Sequence, residues 1–145
     1  MPIFARLVLV CLSSILATLS FPPFSFWPIV LIAWIPLFIA IKGLSARPAF
    51  YIGLLQGFLL YGITLSWMWN IFQATAIILW LIVAIFVGIS CALIVTIRSG
   101  PYVKSSLAAA IWVGAEFFRS EIYMLHFPWM TPGVGMPPSW LSPII

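Results

Sequence analysis

The chain has 145 residues, 65% of them hydrophobic and only 6% charged, with a mean hydropathy of +1.26. A soluble domain carries about 25% charged residues, so this composition excludes a water-facing globule and points to an all-α integral membrane protein, one bundle with no second domain. The net charge of +4 comes from six scattered Lys and Arg, a pattern that excludes a nucleic-acid patch and reads instead as topology signals.

Crossing a hydrocarbon core takes about 20 apolar residues in a helix, and the chain offers about five such segments. The first is 3–21, with Arg6 near its start able to snorkel to the interface. A cleaved signal peptide is the rival reading, but Ala17-Thr18-Leu19 lacks the small-x-small cleavage pattern, and Val10 before Cys11 does not suit a lipobox. The run Phe21-Pro22-Pro23-Phe24-Ser25-Phe26-Trp27-Pro28 is a rigid aromatic turn suited to a membrane boundary. It leads into a second helix over 26–41, which Pro36 is expected to kink.

A basic loop from Lys42 to Pro48 precedes the third helix, 50–72, in which Gly53 and Gly57 form a G-x-x-x-G pair for close helix packing. Its distal Ser66-Trp67-Met68-Trp69-Asn70 suits the opposite interface. The fourth helix, 74–97, carries Ala84, Gly88 and Ala92 at intervals of four, again a packing seam. A second basic loop, Arg98 to Lys104, leads to the fifth helix, 105–123. The remaining 124–145 hold five prolines and two glycines, so they lie at the interface or re-enter the bundle.

Counting basic residues at loop ends places the N-terminus in the cytoplasm. Arg6, Lys42, Arg47, Arg98 and Lys104 then share the cytoplasmic side, and Arg119 stands opposite. In a Gram-negative cell this describes a multi-pass inner-membrane protein whose 116–129 edge is periplasmic.

That edge carries most of the polarity outside the loops. On a helix Trp112, Glu116, Arg119, Ser120 and Tyr123 share a stripe, and Glu116 can pair with Arg119 at i,i+3. Ionisable groups at membrane depth mark functional sites, so the pair is read either as an insertion device or as a headgroup or docking site. Glu121 lies well round the helix and reaches water. Nucleophilic catalysis needs an activated thiol or hydroxyl beside a base. Cys11, Cys91, Lys42, Lys104, Glu116, Glu121 and His126 are the candidates. Lys104 precedes Glu116 by twelve residues, roughly 18 Å of helix, and Cys91 falls in the cytoplasmic half. The expected depths assemble no Cys–Lys–Glu cluster. His126 has no second ligand at helical spacing, so neither metal nor cofactor is expected.

Three stretches in order resemble the N-terminal membrane domain of apolipoprotein N-acyltransferases. LATLSFPPFSFWPIVLIAWIPL, from Leu16, looks like that family's opening hairpin, and GLLQGFLLYGITLSWMW, from Gly53, is similar to its glycine-rich third helix. Ala115-Glu116-Phe117-Phe118-Arg119 and Phe127-Pro128-Trp129 with Gly133 look like its E-(F/W)-L-R and F-P-W-x-x-x-G signatures. The chain departs from the family at His126, where many members have glycine, and at Val134-Gly135-Met136, where Tyr-Ser-Gln is frequent.

The resemblance implies lipoprotein maturation: an acyl chain passes from membrane phospholipid to the N-terminal cysteine of an apolipoprotein. It also implies a Glu–Lys–Cys triad in a nitrilase-like domain beyond about seven transmembrane helices, and neither Cys11 nor Cys91 takes the nucleophile's position. The reading is therefore a fragment, from a truncated frame or a partial record, that anchors and shapes the substrate side and is inactive by itself. Glu116, Arg119, Phe127, Pro128, Trp129 and Gly133 form its substrate-side or domain-docking edge. Two rivals remain: a scaffold recruiting a separate nitrilase-like subunit, and a small transporter, for which Gln56, Thr64, Ser66 and Asn70 supply few inward polar groups.

Overall fold

The computed structural model describes residues 1–97, 101–124 and 130. Described segments are helices and short turns: α1 Ile3–Ser20, a 3-10 turn Trp27–Ile29, α2 Val30–Ala33, α3 Ile35–Ile41, α4 Ala46–Thr64, a second 3-10 turn Ser66–Met68, α5 Trp69–Phe72, α6 Thr75–Thr96 and α7 Pro101–Phe117, which continues as a π-helical turn, Phe118–Ile122. α4 is the centre. It packs most extensively on α6 and also touches α1 and α3, while α7 leans on the outer side of α6.

The bundle has its polarity reversed relative to a soluble protein. On α1 the buried stripe is Arg6, Val10, Ser13, Ser14, Ala17 and Thr18, whereas Phe4 is 75% exposed and Val8, Leu12 and Ile15 also face outward. Such a surface suits hydrocarbon, where an unsatisfied hydroxyl is costly and an apolar side chain is at home. The inward hydroxyls find carbonyl partners. Ser13 Oγ donates to the Ala33 carbonyl at 2.7 Å, Ser14 Oγ to Val10 at 3.0 Å and across to Gln56 at 3.3 Å, and Thr18 Oγ1 to Ser14 at 2.8 Å.

The segment expected as one helix over 26–41 is three short pieces. Pro36 has no N–H to offer the carbonyl four residues earlier and its ring crowds that turn, so the helix opens between α2 and α3 around Trp34. Ser13 answers the Ala33 carbonyl at that opening. Arg6, expected to snorkel toward the interface, reaches across to the end of α3. It is buried, and its guanidinium donates to the carbonyls of Ala40 and, at 3.3 Å, Lys42. A cation there satisfies carbonyls left open at the end of α3 and opposes the negative end of the helix dipole.

Other boundaries also shift. α4 begins at Ala46, so Arg47 and Pro48 lie in its first turn, where a proline costs no hydrogen bond, and the loop shrinks to 42–45. The third helix does not run straight to 72. It turns by 68° between Ala46–Thr64 and Ser66–Phe72. α7 starts at Pro101, four residues before the expected 105. By length and composition α1 and α6 each qualify as unbroken spans, and α4 with its bent continuation makes a third. Trp27–Ile41 is shorter, and α7 has 17 residues. The structure thus carries two or three candidate spans among the described residues, against the five expected.

α4 and α6 meet through small residues. A Cβ added at Gly53 would stand 2.7 Å from Cys91 Sγ and 2.8 Å from the Val87 carbonyl oxygen, and one at Gly57 would stand 2.9 Å from the Ala84 Cα. From the other side, a Cβ on Gly88 would meet the Phe50 ring and carbonyl at 3.0 Å. Ala92 lies half-buried beside Cys91.

Candidate functional site

The far end of α7 carries a charged pair of its own that reaches an aromatic ring of α4. Arg119 pairs with Glu116 one turn before it, and the side-chain exposures are 1% and 17%. The spacing makes this possible, because residues three apart on a helix are neighbours. Its depth makes it necessary, since a lone guanidinium in an apolar bundle lacks the solvation that water or a counter-ion gives. The guanidinium carbon also stands 5.8 Å from the centroid of the Tyr61 ring on α4, within reach of a cation–π attraction.

The chain then leaves α-helical geometry. In the π turn Phe118–Ile122 the Tyr123 N–H donates to the Phe118 carbonyl at 2.7 Å, five residues back. Widening the turn regroups the side chains. Phe118 and Tyr123 both pack on Phe86 of α6, at 6.1 and 5.2 Å between centroids, while Arg119 turns inward to Tyr61. The single stripe expected from Trp112 to Tyr123 is therefore divided. Trp112 packs against Trp34 at 4.6 Å and Phe38 at 5.7 Å, Glu116 and Arg119 pair, and Tyr123 joins Phe118. Ser120 bonds back to the Phe117 carbonyl at 3.3 Å, and Glu121 is exposed.

Tyr61 is the member of this constellation that sequence reasoning passed over. Its signal was its place four residues beyond Gly57, on the face α4 turns toward α6. The expected partners Phe127, Pro128, Trp129 and Gly133, like His126, lie outside the described residues, although Met130 is described and buried in the core. Cys91 is buried at Gly53, and Cys11 is exposed on α1. Among the described residues no three His, Cys, Asp or Glu gather into a metal-binding group.

Chemically, this end of α7 fixes position and charge. Arginine stays protonated, so it binds and orients anions and aromatic faces and does not exchange protons. Glu116 is the more exposed member of the pair.

Comparison with known proteins places the chain by its sequence. An apolipoprotein N-acyltransferase from Pseudomonas syringae pv. tomato is 29% identical over 147 residues, covering 89% of this chain and 29% of the relative. One from Pseudomonas paraeruginosa is 26% identical over 132 residues, covering 81% of this chain and 26% of the relative. The chain thus spans under a third of the length of these curated relatives. Residues 13–145 match the family described as Apolipoprotein N-acyltransferase N-terminal domain. The chain belongs to that family, whose work is lipoprotein maturation.

Proposed function

We propose that this chain is the membrane-embedded N-terminal part of an enzyme that moves an acyl chain from phospholipid to the N-terminal cysteine of an apolipoprotein. It crosses the bacterial inner membrane about five times, with its N-terminus cytoplasmic and its 116–129 edge periplasmic. By itself it anchors and shapes the lipid and substrate side, and it does not catalyse. The triad chemistry belongs to a nitrilase-like part of the relatives beyond the residues matched here.

The observation that carries this reading, beside the family membership, is the buried Glu116–Arg119 pair against Tyr61. The pair neutralises Arg119 at depth and leaves its guanidinium facing the Tyr61 ring of the central helix. The sequence beyond it carries Phe127-Pro128-Trp129 and Gly133, to which we assign the substrate side or the docking of the catalytic domain. Charge agrees with the orientation: Arg6 and Lys42 lie together at one end of the bundle, and Lys104 to Arg119 spans roughly 22 Å of helix toward the other.

The test uses a labelled phospholipid and an apolipoprotein peptide. The purified chain is expected to transfer no label, whereas a chimera placing it before the remaining sequence of the Pseudomonas syringae relative is expected to transfer it. Robust turnover by the chain itself would overturn the reading. So would a folded, membrane-inserted chimera that transfers nothing.

A further inference from the structure

We infer that a cavity between α3, α6 and α7, at the end of the bundle bearing Arg6 and Lys42, holds one acidic phospholipid, its acyl chain against Trp34, Phe38 and Trp112 and its phosphate at Lys42 and Lys104. The cavity measures about 730 Å³, within the roughly 300–1,000 Å³ usual for small-ligand sites. Its lining is amphiphilic in one direction. Trp34, at the break between α2 and α3, and Phe38 pack on Trp112 to form its apolar side, and Lys42 and Lys104 stand exposed at the helix ends. That is the shape of a single-tailed half of a lipid, with apolar depth under a cationic rim.

Charge selects the occupant. Neither lysine ammonium has a hydrogen bond or ion pair among the described residues, so the rim offers positive charge that this end of the bundle does not neutralise. A second copy of the chain fits worse. Its only two carboxylates, Glu116 and Glu121, both lie at the far end of α7, and copies inserted in the same orientation present none at the depth of the lysines. Acidic headgroups are abundant in the cytoplasmic leaflet and attract juxtamembrane lysines. This site is independent of the acyl-transfer reading, which concerns the opposite end of the bundle.

The probe is phosphatidylglycerol with brominated acyl chains, mixed into phosphatidylcholine vesicles carrying the 145-residue chain, with brominated phosphatidylcholine as the comparison. Quenching of tryptophan fluorescence reads lipid beside the rings. We expect the acidic lipid to be preferred by roughly fivefold or more, the equivalent of at least one lysine contact. The double variant Lys42→Gln/Lys104→Gln should bring the preference close to one with helical content unchanged by circular dichroism. Arg47→Gln, also exposed near this end but outside the cavity, should keep it. Equal quenching by both lipids in the unaltered chain would overturn the inference, as would an equal loss in Arg47→Gln. A dimer in lipid-free detergent that phosphatidylglycerol does not dissociate would assign the cavity to a second copy and overturn it too.

Discussion

α6 and α7 both follow the bundle's centre in sequence, yet they are held in different ways. α6 meets α4 where backbone nearly touches backbone, and three glycines there leave no space for a methyl group without displacement. α7 touches the rest of the bundle through side chains: Trp112 on Trp34 and Phe38, Phe118 on Phe86, Arg119 near Tyr61. Its Gly114 has nothing within 4 Å of where a Cβ would sit, and Val113 is 66% exposed. A backbone seam fixes the distance between two helices, whereas side-chain contacts fix points and leave room between them. The cavity beside α3 is such room. A helix held at points suits a site-bearing element, and a seam suits the frame that carries it.

The sharpest way to break this contrast is at the charged point. Glu116→Ala leaves Arg119 buried without its carboxylate, and stability should fall by about 3–5 kcal/mol. The double variant Glu116→Ala/Arg119→Ala should recover most of that loss, because the charge goes with its partner. Thermal unfolding in detergent measures both. If the single variant is neutral, Glu116 is not what compensates the buried charge of Arg119.

At the seam, Gly57→Val drives a branched side chain into the Ala84 Cα, and we expect a loss near the upper end of the roughly 1–3 kcal/mol usual for overpacking. The same measurement applies. An unchanged midpoint would mean that α4 and α6 separate easily, and the distinction between the two helices would collapse.

The smallest effect should have the opposite sign. Gly114→Ala adds a methyl group in open space on a helix, so it should stabilise by up to about 1 kcal/mol through helix propensity. A clear loss there would show that α7 packs closely against something at this position.

These regions also differ in how legible they were in the sequence. Small residues at intervals of four can be seen in a string of letters, and the α4–α6 contact runs through positions of that kind. The Glu116–Arg119 pair was legible for a similar reason, since i,i+3 spacing and the cost of a buried charge leave few alternatives. Pro36 announced a kink, though not that Ser13 on another helix would serve the Ala33 carbonyl beside it. Three features left no local trace. The π turn at Phe118–Ile122 changes the register by one residue and is encoded by packing on Phe86, not by a motif. The bend between Thr64 and Ser66 falls in an apolar run that reads as continuous helix. Tyr61 became part of the site through its distance to Arg119, a contact between residues far apart in the chain. Periodicity reports which face a residue occupies, and it says nothing of what stands opposite.

The account rests on orientation: the lysine end of the bundle inside the cell and the Glu116–Arg119 end outside. Single cysteines read this directly, in a background where Cys11 and Cys91 are replaced. Ser45→Cys lies in the exposed loop between α3 and α4, and Glu121→Cys is exposed on the π turn. In cells with a permeabilised outer membrane, a membrane-impermeant maleimide should label Glu121→Cys at once and reach Ser45→Cys only after lysis. Labelling of Ser45→Cys in intact cells, with Glu121→Cys protected until lysis, would contradict the account.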